Sequence, residues 1–328
     1  MTIPLAVVAA AAGVSVPTVS KVLNSRPDVS EATRGRVTEV LQQHGYAVRR
    51  PTPRVTGLLD VWIVNLEGAW AETVVRGAAA AARRHGKDLV LTVGPDPDDC
   101  DRWVRHALGR GTDGLLSVVA VPSAKVRAAL AAAGVPLVAV DPLRRPPEGT
   151  LSIASTNFQG AFDATHHLLG LGHTRVATIT GSLDQDNAIA RLAGYRAAML
   201  QAGVSVDDDL VIRSRYGINE GYAAAQALLA LDDRPTAVFA SSDDTALGAI
   251  RAVRDAGLHV PDDLSVIGFD DVPYGRWTDP PLTTIRQPLA QMGEAAVDML
   301  MRTREDPAAV PRTELATSLV VRSSTAPR

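Results

Sequence analysis

Few groupings in this chain have the residue types and spacing for chemistry, and most fail on context. Residues 109–114, GRGTDG, satisfy G-x-G-x-x-G. A dinucleotide loop must leave a strand and open a helix, whereas these glycines precede the strand-like run LLSVV, so the segment reads as a helix-to-strand loop. His166 and His167 are neighbours and cannot share one helix face, and His173 lies beyond the helix end. Without cysteines or carboxylates at matching spacing, no metal site is expected. Asp243–Asp244 and Asp270–Asp271 stand at expected strand ends, where carboxylates cap helices and anchor loops more often than they act as general acids. There is no G-x-S-x-G elbow, and Cys100 is the only cysteine, so an intrachain disulfide is excluded and a reducing cytoplasm fits best. No catalytic residue, cofactor or enzyme activity is expected.

The grouping that survives is a polar, cationic face near the N-terminus. Residues 1–54 hold seven Lys/Arg against three Asp/Glu, while the rest of the chain holds 26 against 33. A basic end on an acidic body predicts that only that end meets a polyanion. Helical periodicity supplies the elements that position it. Pro4 to Ala12 reads as a short helix ended by Gly13, which can take the left-handed conformation. Ser15 is a good N-cap for a second helix with Val16 and Pro17 in its first turn. Val19, Val22 and Leu23 then face inward, which turns Thr18, Ser20 and Lys21 outward. Ser30, with Thr33 three residues on, caps a third helix whose inward stripe is Val37, Val40 and Leu41 and which Gly45 would end. Helix, tight glycine turn, then a helix with short polar residues and a cation outward is the helix-turn-helix pattern. Lys21 can donate to guanine O6 or N7, while Val16 and Pro17 offer apolar surface suited to a thymine methyl.

The string GVSVPTVSKVLNSRPDVSEATRGRVTEVLQQHGY closely resembles the headpiece of LacI-family repressors. The resemblance implies that Val16, Pro17 and Lys21 face base edges and that Ser15, Thr18, Ser20 and Asn24 contact phosphates of double-stranded operator DNA. Base contacts specify and phosphate contacts fix register, which makes Lys21 the expected specificity residue. The chain departs from the family beyond Tyr46. Typical members continue GY-x-PN into a hinge helix; here the PN pair is missing and Pro51 and Pro53 interrupt any helix. An extended basic linker over 49–56 is expected, with Arg49, Arg50 and Arg54 following phosphates or entering a narrow minor groove.

From residue 57 on, strand-like and helix-like segments alternate in two series, the second beginning near Asn157. Repeated βα units with continuous apolar strands predict parallel sheets covered by helices. The expected fold class is an all-α helix-turn-helix headpiece (1–48) followed by an α/β periplasmic-binding-protein-like domain of two parallel-sheet lobes (57–328). The first lobe is expected over about 57–154 plus 286–310 and the second over about 157–282 plus 312–325. The strings RLAGYRAAM, PTAVFASSDDTALGAIRAVRDAGLHVPDDLSVIGFDD and PPLTTIRQPLAQMGEAAVDMLM are similar to LacI-family effector domains. By that resemblance Trp70, Asp141, Phe158, Arg191, Tyr216, Ser242 and Asp270 face a ligand in the inter-lobe cleft. Ser242 stands where the family often has asparagine.

Aromatic faces suit the C–H side of a sugar ring, and Arg191, Asp141 and Asp270 can make charge-assisted bonds to hydroxyl pairs. The expectation is therefore a cytoplasmic repressor controlled by a small effector, most simply a sugar. It would act as a homodimer or tetramer, with helix 70–85 at the dimer face by resemblance and no membrane partner. A purine effector is the alternative, since a base stacks on the same aromatics. A secreted sugar-binding transport protein is the rival of another class. The apolar start MTIPLAVVAAAAGVSV argues against that rival, because no Lys or Arg precedes it as a signal peptide requires.

Overall fold

A computed structural model describes residues 4–23, 29–43, 56–66, 68–94, 99–305 and 312–328. The chain divides into two units at Thr56/Gly57, each described here by itself.

The N-terminal unit holds three helices: α1 (Leu5–Ala12), α2 (Val16–Leu23) and α3 (Glu31–Gln43). Gly13 ends α1 at φ 63°, and the backbone N–H of Val14 reaches back to the Ala9 carbonyl at 3.0 Å. Two serines begin the next helices in the same way. Ser15 Oγ accepts from the Thr18 N–H at 3.3 Å, and Ser30 Oγ from the Thr33 N–H at 3.3 Å. Such caps satisfy donors that every helix start leaves orphaned. Val8, Ala12, Val19, Val22, Val37 and Leu41 close a small core, with Leu23 and Val40 packed at its margin.

In the second unit the first lobe runs β1 (Leu58–Ile63), α4 (Ala69–Arg84), β2 (Asp88–Val93), α5 (Asp99–Arg110), β3 (Gly114–Val118), α6 (Ala124–Ala133), β4 (Leu137–Val140) and β5 (Leu151–Ser155). The chain then crosses into the second lobe. There it forms α7 (Asn157–Gly170), β6 (Val176–Thr180), α8 (Asp186–Gln201), β7 (Val211–Arg213), α9 (Ile218–Leu229), β8 (Ala237–Ala240), α10 (Asp243–Asp255), β9 (Ser265–Asp270) and β10 (Thr283–Arg286). It returns as α11 (Leu289–Glu305) and β11 (Arg312–Leu315) before a last crossing to β12 (Ser318–Val320). The first sheet has the order β11-β5-β4-β3-β1-β2 and is parallel throughout. The second is β12-β10-β9-β8-β6-β7, with β12 antiparallel to β10 and the rest parallel.

The lobe boundaries correct the sequence expectation at one crossing. Residues 312–315 belong to the first sheet, not the second, because β11 pairs with β5 and Leu315 packs on the first lobe's core. Leu319 then packs on the second lobe's core, so the true crossing lies between them. The three crossings are tied laterally. Ser155 Oγ donates to Gln287 Oε1 at 2.6 Å, and the Thr317 N–H donates to Thr156 Oγ1 at 3.0 Å.

The helices of the first lobe pack closely. At Gly77 on α4 an added Cβ would lie 1.9 Å from the Ala290 carbonyl oxygen, and at Gly293 on α11 one would lie 2.1 Å from that of Val74. These two helices touch backbone to backbone. Among the described residues no single helix is long and apolar enough to cross a membrane.

Candidate functional site

On the N-terminal unit, α2 buries Val19 and Val22 and leaves Val16, Pro17 and Lys21 exposed, with Thr18 and Ser20 half-buried beside them. Ser15 Oγ lies 2.8 Å from Thr18 Oγ1, so two of the expected phosphate-facing hydroxyls are already oriented by each other. Asn24, Arg49, Arg50 and Arg54 lie outside the described residues, as does the linker over 49–55.

In the second unit, the carboxyl ends of both sheets open onto one cleft, the place where open α/β sheets collect ligands. Its volume is about 1090 Å³. Six of the seven residues expected there line it: Trp70, Asp141, Arg191, Tyr216, Ser242 and Asp270. Phe158 is the second residue of α7, 45% exposed, and lines an adjoining pocket of about 300 Å³ that shares Asp141 and Asn187 with the cleft. The first turn of α7 turns its Asn157 side chain, not Phe158, toward Arg191.

Arg191 organises the polar floor. It is buried on α8, donates from Nε to Asn157 Oδ1 at 2.8 Å and from Nη1 to the Ser241 carbonyl, and stacks over the Phe269 ring at 3.8 Å. Burial raises the pKa of the Asp141 carboxyl, and the positive field of Arg191 opposes it. Asp270 is raised to about 7, again by burial first, against Arg191 and a 2.6 Å hydrogen bond from Gln287 Nε2. Burial lifts the Tyr216 phenol to about 12, which keeps it neutral. Ser242 is less available than expected: its Oγ caps α10 by accepting from the Thr245 N–H at 3.1 Å.

The acidic neighbours divide by role. Asp271 binds Arg322 and, at 2.6 Å, Arg286; burial would raise it, but these hydrogen bonds hold it below the usual carboxylate range. Asp243 accepts from the Val272 N–H at 2.8 Å and from Thr284 Oγ1 at 2.5 Å, and burial raises it well above normal. Both are anchors for the loop after β9.

Periodicity could not have found several residues of the lining. Asn187, Gln185, Asp244, Tyr274 and Trp277 all face the cleft from loops or first helical turns. Tyr274 donates its hydroxyl to Asp244, and Gln185 Oε1 is buried with no hydrogen-bond partner among the described residues. Backbone strain also collects here. The non-glycine residues at positive φ among those described are Val119, Asp141, Asp270 and Asp271; the first three line the cleft and the fourth adjoins it. Strained backbone of this kind persists where surrounding structure over-determines it and clusters at ligand sites. The two lobes also meet at the mouth. The Asp186 N–H donates to the Leu143 carbonyl at 2.7 Å, and Asp186 Oδ2 accepts from the Arg145 N–H at 2.6 Å.

The Asp270 shift carries a pH prediction. Its folded pKa of about 7 exceeds the unfolded value of about 3.9, so between them the folded chain holds the proton more tightly. The stability this group contributes is complete below about pH 4 and is lost as pH rises through about 7. Denaturant midpoints of Asp270→Asn should therefore fall less than those of the native chain between these pH values.

The remaining sequence groupings have structural places in the fold. GRGTDG is the turn from α5 to β3, with Gly111 at φ 84°. Among the described residues no group of three His, Cys, Asp or Glu is placed to hold a metal ion. His173 instead holds the C-terminal tail through the Ala326 carbonyl at 3.0 Å.

Comparison with known proteins agrees with both halves. The bacterial regulatory proteins, lacI family, match residues 5–48, and the periplasmic binding protein-like domain matches residues 165–325. The transcriptional regulator CelR of Thermobifida fusca is 34% identical over 98% of this chain and 97% of its own length. The ribose operon repressor of Escherichia coli strain K12 is 36% identical over 90% of this chain and 91% of its own. Among solved structures, a CelR–cellobiose complex matches 98% of this chain and 100% of that one, with 33% identity and a TM-score of 0.75. The lac repressor dimer bound to operator and the anti-inducer ONPF covers 99% of this chain and 100% of that one, with 28% identity and a TM-score of 0.73.

Proposed function

The chain belongs to the LacI family of bacterial DNA-binding transcription regulators, and on that premise we propose a homodimeric repressor whose hold on operator DNA is set by a sugar in the cleft. The observation that carries the sugar is the lining itself. Arg191, Asp141 and Asp270 converge on a floor flanked by Trp70 and Tyr216, which pairs hydroxyl-binding charge with flat apolar faces. The cleft volume of about 1090 Å³ lies at the upper end for small-molecule sites and favours a disaccharide or larger sugar. CelR is a relative whose solved complex holds cellobiose. A secreted transport protein would need no headpiece, and residues 5–48 are one. Regulation of DNA implies a cytoplasmic protein and no enzyme activity.

The route from ligand to DNA starts at Asp270. Gln287 joins this carboxylate to Ser155 across the crossings, with both bonds at 2.6 Å. A ligand that engages Asp270 therefore acts one hydrogen bond from the segments about which the lobes rotate. Rotation of the lobes would change headpiece spacing in a dimer and so operator affinity, a coupling of about 1–3 kcal/mol.

A thermal-shift screen with cellobiose, ribose and purine bases tests the ligand class. A raised melting temperature with a sugar and none with purines is expected; a shift by purines alone would overturn the sugar. On the DNA side, Lys21→Ala should weaken operator binding about tenfold to a hundredfold, the worth of one base-reading cation. It should relax discrimination at one base pair per half-site in a binding-site selection. A loss of affinity uniform across sequences, with the salt slope reduced by about one, would make Lys21 a phosphate contact instead.

A further inference from the structure

The amino ends of the first lobe's strands carry a buried ion pair that lies outside the cleft and outside the DNA-facing helix α2. The side chain of Asp113 is fully buried, its Oδ2 lies 2.6 Å from Lys87 Nζ, and the Lys87 side chain is only 13% exposed. The same oxygen accepts from the Gly57 N–H at 3.0 Å. Gly57 is the first residue of the larger unit, so it stands where the chain arrives from the linker. Its carbonyl accepts from the Asp88 N–H at 2.8 Å, and the Asp113 N–H donates to the Leu58 carbonyl at 2.8 Å. Gly57 also turns the chain at φ 80°, a conformation that favours glycine.

These contacts gather three strand starts at one point. Gly57 immediately precedes β1, Lys87 precedes β2 and Asp113 precedes β3, and β1 lies between the other two in the sheet. From Leu58, β1 runs six residues to Ile63, which lines the cleft. At about 3.3 Å per residue that is about 20 Å. One strand, hydrogen-bonded on both sides, therefore joins the cleft to the place where the linker begins. A buried ion pair is weak evidence for stability, because apolar residues of similar volume often serve as well. This pair does something apolar residues cannot: it holds a single backbone N–H, at the domain's first residue, in one direction.

We propose that Asp113, held by Lys87, is a positioning residue for DNA binding: it fixes how the chain leaves the first lobe, so that the lobes set the separation of two headpieces. The inference rests on the homodimeric reading above. A paired site selected from random DNA by the native full-length chain supplies the probe. It is compared with copies carrying one, two or three extra base pairs between the half-sites, and with a single half-site. Binding is read by fluorescence anisotropy.

Native affinity should fall at least about tenfold with two inserted base pairs, since half-site spacing mirrors the geometry of the dimer. Lys87→Met/Asp113→Leu fills the same space with apolar side chains and should melt near the native temperature. It should nevertheless lose less than about threefold on that insertion. Asp113→Asn keeps the shape without the charge and should fall between the two; Lys87→Arg keeps the pair and should match the native chain. All should bind the single half-site equally, which separates positioning from damage to the headpiece. If the double variant does not fold, Asp113→Asn decides. Variants that keep the full native loss overturn this proposal and leave the paired-headpiece reading standing, as does weakened binding to the single half-site that accounts for the whole change. A native chain that tolerates every insertion overturns both.

Discussion

Arg191→Met should lower affinity for the cleft ligand by at least about a hundredfold while the chain still folds. The guanidinium is buried, bonded to Asn157 and the Ser241 carbonyl, and stacked on Phe269, so its loss leaves partners unmet as well as removing a contact to the ligand. Truncating one member of a buried, hydrogen-bonded charge cluster costs about 2–5 kcal/mol, and about 2.7 kcal/mol is a hundredfold. The two carboxylates it opposes, Asp141 and Asp270, would also lose the field that holds them down, so both would take up protons more readily. Methionine keeps the volume and the face toward Phe269, which separates chemistry from packing. Arg191→Lys retains charge without the planar fork and should recover only part of the loss. Calorimetric titration with the sugar identified by the thermal screen reads the effect directly. Affinity within a factor of about three of the native chain would remove Arg191 from the ligand site.

Gly293→Ala is a case where local and tertiary rules predict opposite signs. Helix propensity alone favours alanine over glycine by about 0.8–1 kcal/mol in the middle of α11. The added Cβ, however, would fall 2.1 Å from the Val74 carbonyl oxygen and 2.7 Å from the Ala78 nitrogen, both backbone atoms of α4. No rotamer relieves that overlap; the two helices must separate, and overpacking of this kind costs about 1–3 kcal/mol or more. The melting temperature should fall by several degrees. Gly109, on α5, is the matched control: a Cβ added there would meet nothing within 4 Å, and Gly109→Ala should be neutral or mildly stabilising. Equal behaviour of the two alanine variants in thermal unfolding would contradict the backbone contact between α4 and α11.

Some parts of this architecture were legible in the sequence because they rest on local rules. Ser15 and Ser30 cap the helices they precede, and the inward stripes of α2 and α3 follow the 3.6 period. Buried parallel strands such as VATIT and SVIGFD read as continuous apolar runs. Strands whose identity depends on distant partners were not legible. β11, RTEL, alternates exposed and half-buried positions over four residues and joins the first sheet only because β5 offers an edge. β5 itself, LSIAS, is short and half polar, and no βα periodicity distinguishes it.

The cleft shows the same division. Asp141 and Asp270 came from the family resemblance, and their place where an apolar strand ends agrees with it. Asn187, Asp244 and Tyr274 were missed because their loop and first-turn positions carry no period; the signal available was position alone, just beyond β6, β8 and β9. Phe158, expected from the family resemblance, lies in the pocket adjoining the cleft, while its neighbour Asn157 bonds Arg191.

On the function proposed above, a ligand in the cleft governs a salt-dependent grip on DNA, and one measurement bears on both halves. Binding of the full-length chain to the promoter fragment beside its own gene is followed by fluorescence anisotropy across a salt series, with and without the sugar that raises its melting temperature. Log affinity should fall linearly with log salt, with a slope of about −0.9 for each phosphate neutralised, and the sugar should move the whole line by about fivefold or more. Binding that ignores salt, or a line that the bound sugar leaves in place, would contradict it.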